Sequence, residues 1–293
     1  MKRQLAFVFG GGGSRGAMQV GATRALFEAG FNPQILVGTS AGGVNATYLA
    51  LKGVNAESLE GLVNLWRKAA KMDLFPSNYL WLTLRALFNK PTSYSTNRLK
   101  EFILSEGLTP EFRFADLNGI QLYLVASDLN NGRPMVFGED LEHSVMEGLL
   151  ATTALPPWVS PIEKTGSLLM DGGMVSTLPI ETAMTQGASE IVALDLSDFR
   201  DLQAESRGFG PFLAKLWFTM ESRQRELEMA LATAQGIKVR YIHLLWEETV
   251  QLWDFSHTEE LIEHGYKQVK KEIATWRSEP RSGWLSGLLR GDL

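Results

Sequence analysis

The 293-residue sequence predicts a three-layer α/β/α fold with a mostly parallel central sheet. Three observations predict it. Leu5–Phe9, Ile35–Val37 and Ile191–Leu196 are short, continuously apolar runs, the pattern of strands buried on both faces. The first two are each followed by a glycine-bearing turn and then a helical pattern. That strand–helix–strand–helix rhythm describes parallel strands joined by right-handed crossovers.

The elements follow in order. After Leu5–Phe9 come Gly10–Gly13 and Ser14-Arg15-Gly16, then a helix over Ala17–Ala29. Its stripe is Val20, Leu26 and Phe27, and Gly30 stops it. Ile35–Val37 leads through Gly38-Thr39-Ser40-Ala41-Gly42 into a helix to about Leu51. Residues 57–106 read as helices, with Leu59, Leu62, Val63, Trp66 and Ala70 at helical spacing and Leu99, Phe102 and Ile103 on Asn97–Leu104. Between these, Tyr79–Phe88 is apolar nearly all round and fits either a core helix or a lid over an apolar site.

Gln121–Ala126 is a strand, Asp128–Gly132 a turn, and Pro134–Phe137 a short strand. Leu141–Leu150 is helical until Ala154-Leu155-Pro156-Pro157 breaks the pattern. Leu168–Met170 runs into Asp171-Gly172-Gly173, and Pro179 opens a helix. Ser197–Gly210 is polar enough for a mobile loop. From Pro211 a long helix carries Leu213, Leu216, Trp217, Met220, Leu227 and Leu231 on one face, ending at Gly236. Val239–Leu245 is a strand, and Ser256 with Glu259 makes a capping box for a last helix. Its stripe is Ile262, Tyr266, Val269, Ile273 and Trp276. These elements divide into a core over residues 1–200 and a helix–strand–helix extension over 201–293, packed on the same domain. The tail 278–293, with Trp284, Leu285, Leu288 and Leu289, is either frayed or a contact for a membrane surface.

Composition narrows the chemistry. A net charge of −5 gives no support for a nucleic-acid partner. With no Cys there is neither a disulfide framework nor thiolate chemistry, and the four His residues form no metal-ligand pair. No uncharged apolar run reaches membrane-span length, and no signal-peptide pattern follows Met1. These features favour a cytoplasmic chain without metal or cofactor.

Gly38-x-Ser40-x-Gly42 between a strand and a helix has the form of a nucleophile elbow, although an ordinary Ser-capped turn fits it as well. Acyl transfer needs a nucleophile, a proton acceptor and donors for the oxyanion. Ser40 is the candidate nucleophile, and Gly11, Gly12, Gly13, Ser14, Arg15 and Gly16 can offer backbone N–H groups at a helix N-terminus. Arg15 fits a support for that loop, an aid to the anion or a surface arginine. Asp171 fits both a proton acceptor and an Asp serving a local turn. The glycine loop also matches a dinucleotide fingerprint, but the second strand ends in Thr39-Ser40 rather than a carboxylate. His243, His257 and His264 follow Asp171, so a Ser–Asp–His order is available, yet they sit in or beside regular elements late in the chain.

Taken together, the chain resembles the bacterial patatin-like phospholipases. The resemblance rests on Gly11–Gly16, Gly38–Gly42 and Asp171-Gly172-Gly173, supported by Ser127–Gly132 and Ala154–Trp158, and covers Leu5 to about Leu196. It implies a serine lipid acyl hydrolase working through an acyl-enzyme, with Ser40 as nucleophile, Asp171 as its activator and no catalytic His. It also implies an oxyanion hole from the backbone around Gly12–Arg15 and a lipid or acyl-ester substrate, while the tail leaves peripheral contact with the inner membrane surface open. One departure stands out: where the family often has Asn a few residues after Asp-Gly-Gly, this chain has Ser176-Thr177, which leaves both catalytic residues in place and opens the support of the Asp171 loop to a difference. A non-catalytic binding protein of the same fold is the alternative, with nucleotide binding behind it.

Overall fold

In the computed structural model, residues 4–72, 93–155, 159–198, 200 and 208–278 are described. The candidate lid Tyr79–Phe88, most of the expected mobile loop 197–210 and the tail from 279 onward lie outside them.

Eight strands form one sheet: β1 (Leu5–Phe9), β2 (Ile35–Thr39), β3 (Gln121–Asp128), β4 (Arg133–Phe137), β5 (Ile162–Lys164), β6 (Ser167–Asp171), β7 (Glu190–Asp195) and β8 (Lys238–His243). Their order is β5-β6-β3-β2-β1-β7-β8, with β4 also paired to β3. The five strands from β3 through β8 are mutually parallel, and β4, β5 and β6 join antiparallel at one side. The expected mostly parallel sheet is present.

The strand side chains divide between two cores, which makes the three layers. Phe7, Phe9, Leu36, Leu124 and Leu194 point to one face. There they meet α1 (Gly16–Glu28), α2 (Ala41–Lys52), α3 (Ala56–Lys71), α4 (Ser93–Ser105) and α5 (Val145–Thr152), with α8 (Thr258–Ser278) packed behind on α1. Ala6, Val8, Val37, Val125 and Ala193 point to the other, against α6 (Ile180–Thr185) and α7 (Phe209–Ala234). The α1–α8 contact depends on two glycines. A Cβ on Gly21 would sit 1.8 Å from the Ile262 carbonyl oxygen, and one on Gly265 would sit 2.0 Å from that of Met18.

Several boundaries differ from expectation, each for a local reason. The helix expected from Leu141 starts at Val145, because Ser144 caps it by accepting from the Glu147 amide. In α3 the stripe ends on buried Ala69, and Ala70 is exposed. The capping box at Ser256 does not form. Its hydroxyl donates to Asp254 Oδ1 at 2.6 Å, and Glu259 instead pairs with Arg67 at 2.5 Å.

The largest difference lies in α7. The apolar face that the sequence marks there stays largely at the surface: Leu216 is 47% exposed, Met220 47% and Leu227 52%. The side turned inward carries Trp217, Glu221, Gln224, Arg225 and Glu228.

Candidate active site

The elbow is present and strained. Ser40 lies between β2 and α2 at φ 54°, ψ −125°, in the left-handed half of backbone space, which costs a non-glycine residue about 1–3 kcal/mol. Close approach explains the flanking glycines: a Cβ on Gly42 would lie 2.1 Å from the Phe9 carbonyl oxygen, and one on Gly38 would lie 2.6 Å from that of Gly42. Although Ser40 occupies the N-cap position of α2, its side chain makes no capping hydrogen bond. The hydroxyl is therefore not spent on the helix. Thr152 holds the turn instead, accepting from the Ser40 amide at 3.0 Å and donating to the Val125 carbonyl.

Sheet register brings Asp171 to the elbow. Thr39 pairs with Val125 across β2–β3, and Ala126 pairs with Asp171 across β3–β6. Ser40 and Asp171 thus share a row two strands apart, about 10 Å between main chains. Asp171 is the last residue of β6, which runs antiparallel to β3. Gly172 passes so close to β3 that a Cβ there would lie 2.1 Å from the Val125 oxygen.

Of the two roles the sequence left open for Asp171, the local turn bond is directly visible: its Oδ1 accepts from the Gly173 amide at 2.8 Å. Its Oδ2 is buried with no well-formed hydrogen bond. Burial drives the carboxyl up to about 6, and hydrogen bonds from Ser40 and from the Gly173 amide offset part of the rise. Such loose geometry is usual for a base and its nucleophile before substrate binds. The carboxyl is thus desolvated and faces the Ser40 hydroxyl.

The glycine loop closes the third side. A Cβ on Gly11 would lie 3.4 Å from the Ser40 Cβ. Its amides are mostly committed: Gly11 to the Thr177 oxygen at 2.9 Å, Ser14 to that of Leu252 at 2.7 Å, Arg15 to that of Gly12 at 3.2 Å, and Gly16 to the oxygens of Gly13 and Ser14. That leaves Gly12 and Gly13 as the loop's donors for an anion. Gly13 adopts φ +57° and lines the same cavity as Ser40. Arg15 is only 5% exposed and its Nε donates to the Gly12 oxygen at 3.4 Å, so it supports the loop rather than decorating the surface.

A cavity of about 120 Å³ opens beside Ser40 and runs along α2 past Val44, Tyr48 and Leu51. Leu65 of α3 and Phe102 of α4 close it laterally. Its walls are almost wholly apolar until Lys52 and Glu106. Two of the three late histidines are engaged elsewhere: His243 Nε2 bonds the Ser197 oxygen at 2.6 Å and His264 Nε2 that of Leu245 at 2.9 Å. Among the described residues no acidic, His or Cys cluster could hold a metal, and no helix is long and apolar enough to cross a membrane.

Sequence reading missed the supports. Thr152, Asn45, Gln19, Glu221 and Glu228 are single polar residues, without motif, that tertiary packing brings to the site. Asn45 joins the Gly16 oxygen, Gln19 and the Trp66 indole, and Gln19 in turn holds the Gly10 and Leu194 oxygens.

Residues 7–184 match the family model for patatin-like phospholipase. Lysophospholipase nte1 of Aspergillus terreus is 28% identical over 220 residues, 74% of this chain and 13% of that protein. Patatin-like phospholipase domain-containing protein 7 of Mus musculus is 25% identical over 311 residues, 98% of this chain and 21% of that protein. The chain thus spans about a fifth or less of the length of these relatives. Among solved structures, VipD from Legionella pneumophila superposes with a TM-score of 0.45 at 14% identity, over 93% of this chain and 67% of that one. That likeness is too loose to transfer any residue.

Proposed function

The chain belongs to the patatin-like phospholipase family, and from that premise we propose that it is a serine lipid acyl hydrolase with a Ser40–Asp171 dyad. The observation that carries the reading is the strained, uncapped Ser40 facing a buried carboxyl with a free oxygen. Asp171 accepts the Ser40 proton as Oγ attacks the ester carbonyl. Gly12 and Gly13 donate to the developing oxyanion, a contact worth about 3 kcal/mol per donor in well-aligned sites. Collapse releases the alcohol or lysolipid with the proton that Asp171 holds. Water, deprotonated by the same carboxylate, then hydrolyses the acyl-enzyme.

The cavity along α2 fits the acyl chain, since each buried methylene contributes about 0.8 kcal/mol. Lysophospholipids and phospholipids are the proposed substrates, in line with the relatives' names. Residues 1–200 carry this machinery, and 201–293 form an extension of the same domain. We place the chain in the cytoplasm, meeting lipid peripherally at a membrane surface, a reading that rests on the sequence pattern of its tail.

Hydrolysis of a chromogenic fatty-acyl ester tests the dyad. Activity is expected in wild type, and its loss in both Ser40→Ala and Asp171→Asn with folding intact. Turnover near the wild-type rate in either variant would remove that residue from the mechanism.

A further inference from the structure

Helix α7 turns a row of polar side chains inward beside Trp217, while Leu216, Met220 and Leu227 of its apolar stripe stay exposed; near its end Met229 and Ala232 join the core. Its inward residues Trp217, Glu221, Gln224 and Glu228 recur at spacings of four, three and four, one stripe along the helix. All four meet the segment that follows Asp171.

Glu228 accepts from the Ser176 hydroxyl in a very short bond and, through Oε2, from the Glu181 amide at 2.9 Å. Gln224 Nε2 donates to the Met174 oxygen at 2.6 Å. Glu221 Oε1 accepts from Thr177 Oγ1 at 3.2 Å and from the Trp217 indole at 2.9 Å. The Trp217 ring lies against Gly173, 3.4 Å from where its Cβ would be.

The same segment is held from within by the catalytic loops. Thr39, next to Ser40, donates from Oγ1 to the Ser176 oxygen at 2.9 Å, and the Gly11 amide donates to that of Thr177. Ser176 and Thr177 therefore join three things: the elbow, the glycine loop and α7.

A second arm of α7 reaches the back of the glycine loop. Arg225 donates to Ser197 Oγ at 2.5 Å and pairs with Asp195 at 3.5 Å. Leu196, between them, fills the space a Cβ on Gly12 would need. Arg15 of the glycine loop also attracts Glu221 electrostatically.

We propose that Glu228 and Glu221 are positioning residues: through Ser176 and Thr177 they keep Asp171 and the oxyanion loop in register around Ser40. This rests on the Ser40–Asp171 reading above and supplies the loop support that Ser176-Thr177 requires in place of Asn. Neither Glu touches the reacting atoms. Burial raises both carboxyls to about 7. The charged groups facing them are Arg15 and Asp195 around Glu221, and Glu181 beside Glu228.

The test compares wild type with Glu228→Ala, Glu228→Gln, Glu221→Gln, Ser176→Ala and the exposed control Arg223→Gln. It reads kcat and KM on a soluble short-chain chromogenic ester from pH 5.5 to 9, fluorophosphonate labelling rate and thermal melting. Glu228→Ala is expected to lower kcat and labelling about tenfold or more, with KM within about twofold, as loss of a buried acceptor that leaves Ser176 and the Glu181 amide unpaired predicts. Its acid limb should move to lower pH, because a loosened loop admits water to Asp171. Glu228→Gln keeps one acceptor and should recover part of the rate, while Glu221→Gln and Ser176→Ala should fall between wild type and Glu228→Ala. If Glu228→Ala folds poorly, the milder variants decide through the same acid limb. Should wild type turn over and label at Ser40 while these variants keep kcat within about twofold, or lose it only in step with unfolding and with an unmoved limb, the brace is overturned alone. A wild type that neither turns over nor labels overturns the dyad and the brace together.

Discussion

The two sides of Ser40 are built by different physics. Toward α2, α3 and α4 the surroundings are apolar, with Val44, Tyr48, Leu65 and Phe102 lining a cavity. Toward α6 and α7 they are polar and buried: Asp171 accepts from the Gly173 amide, Ser176 donates to Glu228, and Arg225 donates to Ser197. The apolar side can bind a chain but cannot activate a hydroxyl. The polar side can fix a base and shift its pKa but offers nothing to hydrocarbon. An acyl hydrolase needs both, and the elbow sits on the seam.

Perturbing each side separately sharpens the contrast. The largest effect belongs to the polar side. Ser40→Ala should lower kcat by more than about 10⁴-fold and Asp171→Asn by roughly 10³-fold, measured with short and long acyl esters alike. Next comes the apolar side. Val44→Trp, one turn from the nucleophile, should cut kcat/KM about 10- to 100-fold for long-chain esters by excluding several methylenes. Short-chain esters should be spared, within about threefold, because Asp171 and the glycine loop are untouched. Equal losses for both chain lengths would break the division between the sides.

Acidity separates them further. Asp171 must be ionised to take a proton, so activity should fall as pH drops through about 6 in wild type. Stability should move the other way. Asp171, Glu221 and Glu228 have folded pKa values raised above the ordinary carboxylate range. Their folded forms bind protons more tightly than the unfolded chain, a contribution present below pH 4 and lost as pH rises through 6 to 7. Glu228→Gln cannot ionise, so its melting temperature relative to wild type should rise between pH 5 and pH 8. A constant or falling difference would contradict the raised carboxyl. Val44→Trp, on the other side, should show no such trend.

The same division explains what the sequence could disclose. The elbow, the glycine loop and Asp171-Gly172-Gly173 are contiguous and carry glycines where backbones approach within contact distance, so spacing made them candidates and the family resemblance gave them roles. The buried strands were legible because an apolar run of five or six residues has few other uses. The polar brace was not. In α7 the apolar period was real, but periodicity does not say which side faces the protein, and the buried side was set by Ser176 and Thr177, some 40 to 50 positions earlier. The capping box failed for a related reason: Asp254 and Arg67 competed for Ser256 and Glu259. Thr152 carries no local signal at all, since its role comes from the β2–β3 register and the end of α5.

The central claim is that Ser40 carries the acyl group and that Asp171, without a histidine, moves its proton. Acid-quenched turnover of a long-chain acyl ester, followed by peptide mass spectrometry, tests it most directly. The account predicts an acyl adduct on the peptide containing Ser40, absent in Ser40→Ala and much slower to form in Asp171→Asn, with His243→Gln unaffected. An adduct on another residue, or steady turnover with no dependence on Ser40, would contradict it.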